Sequence, residues 1–305
     1  MRVVRADDYI NAILKEGNGN LAKYLKADVV TIKSPIVDGL DTAIRQEIEA
    51  IQDRKTPPRR PKRLCVLLET NGGYIEVVER IYSVFRHHYN HVIFIVPNFA
   101  YSAGTILVLS GDEIYMDYYS VLGPIDPQYR MDDGRFLPGL GYLNKFEELT
   151  KVVNDAPDPK KVRAQLAYLL EKFDPAVLFF LEQAKNHSVT LLKKWLPKHK
   201  FKHWRITRGR RKKVTPTMKR QRASDIANAL GDPTRWHSHG RGIGISELTS
   251  EDIKLDIVNF GNNTQLKALI GNYYHLFSDY CVKMGVSGTE HTVIHSMNGL
   301  RRLWQ

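Results

Sequence analysis

The sequence predicts an α/β fold with a mostly parallel sheet of stacked βαβ units, followed by a helical C-terminal region. Residues 64–68 and 91–96 are near-continuous apolar runs of the length and β-branched character of strands buried on both faces. Between them, residues 75–88 place Val78, Ile81, Tyr82 and Phe85 on one helical face, which makes the stretch a βαβ unit. Each of these strands is followed at once by a Gly- or Ser-bearing turn that opens a helix.

Taken in order, residues 1–25 read as a helical lead-in interrupted at Gly17–Asn20. Residues 29–32 are a β-branched strand, and 41–51 a helix with Ala43, Ile44, Ile48 and Ile51 inward. A basic, proline-rich connector at 57–63 precedes the first buried run. After the second come a short helix at 103–109 and a strand at 113–116. Residues 122–141 are rich in Gly, Pro and Asp and read as an ordered loop, with helix from about 154 to 195. A short helix at 225–230, a loop at 234–245, a helix at 249–257 and helical stretches at 265–284 and 291–304 follow. The expected organisation is a lead-in at 1–25, a main domain at 26–260 with a basic insertion at 198–222, and a helical extension at 261–305.

The 305 residues are 43% apolar, enough for a sizeable core. No apolar run nears the roughly 20 residues of a membrane span, and no apolar segment follows Met1, so a cytoplasmic protein is expected. Two cysteines give neither a disulfide framework nor a cysteine metal site. The net charge of +12 is local: residues 198–222 hold 12 Lys/Arg and no Asp/Glu, leaving 33 of each sign elsewhere. With Phe201 and Trp204 among Arg208, Arg210, Arg211, Lys212 and Lys213, this stretch suits contact with nucleic acid or an acidic protein partner, and equally a solvated excursion.

Three motifs carry chemistry. Thr70-Asn71-Gly72-Gly73 lies between a buried strand and a helix, where backbone N–H groups can hold an oxyanion, although such a turn needs glycine for steric reasons alone. Tyr101-Ser102-Ala103-Gly104 occupies the next such junction, at the carboxyl end of a parallel strand, where ligands bind. Ser102 there is either a nucleophile or a helix N-cap. The third is the rigid loop Leu122-Gly123-Pro124-Ile125-Asp126-Pro127-Gln128.

Together these motifs resemble the serine dehydrogenase proteinase family, relatives of signal peptide peptidase A and of Clp protease. The resemblance covers about residues 26–130 and resumes around 238–257. It implies a Clp/crotonase-like fold, a nucleophilic Ser102, and an oxyanion hole from Gly72, Gly73 and Ala103. Asn71 stands where many relatives have proline. It also implies an ATP-independent serine endopeptidase acting on extended or unfolded peptides through an acyl-enzyme, without a cofactor, in a homo-oligomer.

The general base stays open. Clp protease has a histidine about 25 residues after its serine, whereas this chain has Ile125 and Asp126 there and no histidine between His91 and His187. Trp236-His237-Ser238-His239-Gly240 resembles a late Ser-His-Gly segment of the family, making His239 the leading base, oriented by Asp126. His239 could equally be a structural loop histidine, and Asp126 a cap of its own loop. Lys145, 43 residues after Ser102, is the alternative base by analogy with signal peptide peptidase A, though its charged stretch reads as a solvated face. His237 and His239 lack the accompanying ligands of a metal site. Two rivals remain: a non-catalytic adaptor binding through the basic stretch, and a crotonase-like acyl-thioester enzyme that shares the oxyanion hole.

Overall fold

The structure, a computed structural model, describes residues 5–54, 62–130, 136–207, 209, 211–286 and 291–303. Most of the proline-rich connector, Arg208, Arg210 and Trp304 lie outside them. In chain order, α1 (Ala6–Leu25) leads to β1 (Asp28–Lys33), α2 (Leu40–Asp53), β2 (Arg63–Glu69), α3 (Ile75–His88) and β3 (His91–Ile95). Next come β4 (Phe99–Ala100), α4 (Ala103–Leu109), β5 (Glu113–Met116) and β6 (Val121–Leu122). The pair β7 (Gln128–Arg130) and β8 (Phe136–Pro138) precedes α5 (Gly139–Asn154), α6 (Arg163–Lys172), α7 (Pro175–Lys198) and α8 (Pro216–Gly231). Then follow α9 (Pro233–Trp236), α10 (Ile245–Thr249), β9 (Val258–Asn259), α11 (Thr264–Lys283), β10 (Thr292–Ser296) and β11 (Gly299–Leu303).

The main sheet has seven strands in the order β11-β10-β1-β2-β3-β5-β9, parallel from β1 to β9 and antiparallel where β10 and β11 join the edge. This is the mixed α/β, mostly parallel architecture that the apolar runs predict. Alternation along each strand splits the core between two faces. Val30, Ile32, Leu64, Val66, Leu68 and Phe94 pack with α2, α3, α4, α7 and α8. Val29, Cys65, Leu67, Ile93 and Ile95 face α1 and α11. Helices on both faces are the reason the strands read as unbroken hydrophobic runs rather than as alternating ones. The helical reading of 265–284 is met by α11, whose aromatics Tyr273, Tyr274, Phe277 and Tyr280 are core residues.

Four elements differ from expectation. Gly17–Asn20 does not break α1, because a side chain at Gly17 would meet Tyr273 at 3.1 Å, so its absence lets α1 lie close on α11. Asn18, fully buried, donates its side-chain amide to Val29 O at 3.1 Å. The stretch 291–304 is not helical over its described part. It is a hairpin turning at Met297-Asn298, with Gly299 at φ +111, and it extends the sheet beside β1. The short helix at 225–230 is the end of α8, which starts at Pro216 with Thr215 capping Met218 N–H. The helix at 249–257 is instead α10, ending at Thr249, followed by turns that bury Ile253 and Leu255 before β9.

The basic stretch is partly architectural. The Lys200 side chain is 3% exposed, 3.9 Å from Asp256. Lys219 donates to the carbonyls of Phe201 and Lys202, and Arg222 to those of Asp252 and Ile253. Phe201 is buried, and Trp204 packs against it and the core. Phe201 is therefore not displayed for base stacking, while Trp204 is half-buried.

Candidate active site

The chain beyond the carboxyl ends of β2, β3 and β5 builds a second, smaller layer. Thr70 bridges Ala100 in parallel, β4 pairs with β6, and Leu122 bridges Ile243 in the antiparallel sense. Leu122 N–H donates to Ile243 O at 3.0 Å, and Ile243 N–H returns to Leu122 O at 2.7 Å. At about 4.8 Å per pairing, Thr70, Ala100, Leu122 and Ile243 form a row roughly 14 Å wide. The glycine turn, Ser102, Asp126 and His239 all leave this row within a few residues.

Ser102 sits at φ 52, ψ −119, a region costly for a non-glycine residue, by about 1–3 kcal/mol. Hydrogen bonds on both sides hold it there: Tyr101 N–H to Thr70 O at 2.9 Å, Gly104 N–H to Tyr101 O at 2.8 Å, and Thr105 N–H to Ser102 O at 2.9 Å. Its side chain makes no capping bond to α4, so the N-cap reading lacks the interaction that would define it. The hydroxyl has no hydrogen-bond partner among the described residues and is partly open to solvent.

Both glycines of the turn are required by contact. A Cβ at Gly72 would stand 2.8 Å from Ser102 Cβ, and one at Gly73 would stand 2.0 Å from Ile36 O. Gly73 also holds φ +144. Of the three expected oxyanion donors, Gly72 N–H is given to Thr70 Oγ1 at 3.1 Å. The N–H groups of Gly73 and Ala103 donate to no group among the described residues.

His239 and Asp126, 113 residues apart in sequence, meet: Nδ1 and Oδ1 are 2.9 Å apart, with the side chains 12% and 3% exposed. A carboxylate only accepts, so Nδ1–H is the donor, and in the neutral ring the lone pair is on Nε2. The histidine arm is fixed by the Leu122–Ile243 pairing and by Gly242, where a Cβ would come within 2.9 Å of Val121. Trp236 anchors its other side, being buried with Nε1 donating to Ala229 O at 2.7 Å. On the acid side, Ile125 N–H donates to Leu230 O at 3.1 Å. Asp126 Oδ1 is taken by the imidazole and Oδ2 has no partner among the described residues, so the carboxylate does not cap its own loop.

His239, Asp126 and Lys145 line one cavity of about 320 Å³, walled by α5 on one side and by 233–239 on the other. Lys145 Nζ lies 3.0 Å from Glu148 on an exposed face of α5. Arg211, Lys212 and Lys213 are exposed on a turn closed by the Ile206–Lys213 bridge. His199, at the start of the basic stretch and seven residues before that bridge, stands 4.0 Å from Asp112 at the amino end of β5, whereas the motifs leave carboxyl ends. Thr70 and Thr105, whose hydroxyls tie these turns together, escape a reading of the sequence, since a buried threonine at a strand end or in a helix carries no distinguishing pattern.

Residues 38–136 match the family model of ClpP-like SDH-type serine proteinases. Two uncharacterized proteins of Methanocaldococcus jannaschii are each 36% identical to this chain over 75 residues, 25% of this chain and 26% and 25% of theirs. The chain therefore spans about a quarter of the length of these curated relatives. Two solved structures of mutants of the 1510-N membrane-bound stomatin-specific protease, one with a substrate peptide, align at 15% and 16% identity. Their TM-scores are 0.45 and 0.44, over 78% and 75% of this chain and 82% and 73% of theirs. The resemblance read from the three motifs thus holds over residues 38–136, the stretch bearing the glycine turn, Ser102 and Asp126, which matches the ClpP-like SDH-type serine proteinases.

Proposed function

We propose that this chain is a cytoplasmic, ATP-independent serine endopeptidase that cleaves extended or unfolded peptide segments, with Ser102 as nucleophile. The observation that carries the reading is the 2.9 Å bond between His239 Nδ1 and Asp126 Oδ1, together with a serine held at strained dihedrals whose hydroxyl has no hydrogen-bond partner among the described residues. Asp126 fixes the imidazole tautomer so that Nε2 accepts the Ser102 proton as Oγ attacks the peptide carbonyl. The N–H groups of Gly73 and Ala103 then hold the tetrahedral oxyanion. The imidazolium returns its proton to the leaving amine, and a water activated by the same nitrogen hydrolyses the acyl-enzyme. Ser102 Oγ and Nε2 close to hydrogen-bond distance when substrate enters, as catalytic contacts commonly tighten on binding.

A second reading, with Lys145 as base, is favoured by one observation: Lys145 lines the same cavity as His239 and Asp126. Self-association and binding of polyanions or acidic proteins through the basic turn belong to this proposal as further expectations. A serine-reactive fluorophosphonate probe tests the core of it. Labelling at Ser102 in the wild type, absent in a folded Ser102→Ala variant that also lacks peptide turnover, is the expected result. A folded wild-type protein that the probe leaves untouched would point to the adaptor or the acyl-thioester enzyme.

A further inference from the structure

Thr105 carries a fully buried hydroxyl wedged between the segment that bears the nucleophile and the segment that bears the acid. Its Oγ1 lies 2.9 Å from Ala100 O, 2.9 Å from Gly123 O and 3.0 Å from Gly123 N. A hydroxyl has one proton and two lone pairs, so it accepts from Gly123 N–H and donates to one or the other carbonyl. A threonine in a helix ordinarily bonds back to the carbonyl four residues earlier within its own helix. Here the partners are Ala100, two residues before the nucleophile, and Gly123, 18 residues downstream and three before Asp126.

The space around this bond leaves no slack. A Cβ at Gly123 would sit 2.5 Å from Tyr101 Cδ1 and 3.1 Å from Ser102 N, and one at Gly104 would sit 2.3 Å from Thr70 Cγ2. Gly123 N–H also reaches Ala100 O at 3.1 Å, so the carbonyl, the amide and the hydroxyl form one closed knot where β4 and β6 end. Of the three groups in this knot, the Thr105 hydroxyl is the one that starts on α4, the helix that Ser102 opens.

We propose that Thr105 is a positioning residue that sets the distance between the Ser102 turn and the Asp126–His239 pair through its hydroxyl. The proposal rests on the peptidase reading above. Without the hydroxyl, the end of β6 keeps its bond from Gly123 N–H to Ala100 O but loses its tie to α4, and the imidazole loses its register with the nucleophile. A misplacement of about 1 Å at reacting groups costs about a hundredfold in rate.

The test compares Thr105→Val, which keeps the shape and removes the hydroxyl, with Thr105→Ser, which keeps the hydroxyl. For a short neutral peptide, Thr105→Val should lower kcat by about 10- to 100-fold while KM stays within about threefold, and Thr105→Ser should recover kcat to within about threefold of wild type. Amide hydrogen exchange at Gly123, against Val66 and Ile93 in the sheet, reads the latch without relying on catalysis. Gly123 should lose protection in the Val variant and keep it in the Ser variant, with the sheet amides unchanged. If the Val variant does not fold, Thr105→Cys, with its weaker donor, replaces it, and a several-fold fall in kcat is expected. Wild-type turnover in a folded Val or Cys variant would overturn the proposal, as would equal losses in the Val and Ser variants. An inactive wild type would instead remove the peptidase reading, and unchanged Gly123 protection in the Val variant would then remove the latch as well.

Discussion

Ser102 and Gly73 hold backbone conformations that few residues adopt, and in both cases a neighbour enforces them. Gly73→Ala would press a methyl group against Ile36 O, placed 2.0 Å away, at φ +144. We expect a loss of at least about 3 kcal/mol of stability in urea unfolding, the size typical of severe strain and overpacking. Gly285, also at positive φ but with nothing within 4 Å, is the control, and its alanine variant should cost about 1 kcal/mol. A small effect at Gly73 would mean that the turn relaxes and is not held by Ile36. The general base is decided by two further variants. His239→Ala should lower turnover at least about a hundredfold, with Lys145→Ala nearly neutral because its amine is engaged with Glu148 on an exposed face. The opposite pattern would assign the Lys dyad. Ser102, Asp126 and His239 could be proposed from the sequence because their residue types suit the chemistry, and the first two follow the strands β4 and β6, whereas His239 follows the short helix α9. That Gly72 N–H is already taken could not, since it depends on where the Thr70 hydroxyl points.

At the scale of elements, helices and strands could be read wherever burial follows the local period, on both faces in β2 and β3 and on one face in α3 and α11, since there the apolar pattern alone reports the environment. The reading fails where tertiary contact overrides local pattern. Gly17 and Asn18 look like helix breakers but serve a close approach to Tyr273 and a buried bond to Val29. The hairpin of β10 and β11 is hidden in the sequence because β10, Thr292–Ser296, holds only two apolar residues, Val293 and Ile294, beside polar Thr292, His295 and Ser296. That histidine is fully buried, with Nδ1 2.6 Å from the Tyr273 hydroxyl, and burial pushes its pKa down to about 4. His199, at the end of α7, is likewise pushed to about 4, chiefly by burial and then by the Arg86 charge. The usual histidine value is near 6.5, so the unfolded chain binds more protons than the native one between pH 6.5 and 4. Stability from these groups is therefore fully present above about 6.5 and is lost as pH falls towards 4. Each histidine should contribute on the order of 1–2 kcal/mol to that slope, since a tenfold change in proton affinity is worth about 1.36 kcal/mol and solvent screening and relaxation of the site take back part of it. Urea unfolding at pH 7 and pH 4.5 measures the slope, and NMR titration of the imidazoles assigns it. A titration of both rings near 6.5 in the folded protein would contradict the burial argument.

For the whole molecule, charge and chemistry are spatially divided. The motifs leave the carboxyl ends of the parallel strands, while the basic stretch is rooted beside Asp112 at the amino end of β5. Of its twelve basic residues, Lys200, Lys219 and Arg222 are committed to an ion pair or to backbone carbonyls. Arg211, Lys212 and Lys213 are exposed. With Phe201 buried and Trp204 half-buried, affinity for polyanions should come chiefly from phosphate or carboxylate neutralisation by the exposed basic residues. Binding of DNA, RNA or heparin should then fall steeply with salt, by about 0.9 in log K per log unit for each duplex phosphate contact, and show little sequence preference. Charge reversal at Arg210, Arg211, Lys212 and Lys213 should flatten that slope by several contacts. Cleavage of a short neutral peptide by the same variant should stay near wild type, because the turn is rooted at the opposite end of the strands from Ser102. Absence of binding at low salt would remove the polyanion partner. A collapse of peptide turnover in the folded variant would show that the turn helps to complete the site, either within one subunit or across an interface between copies.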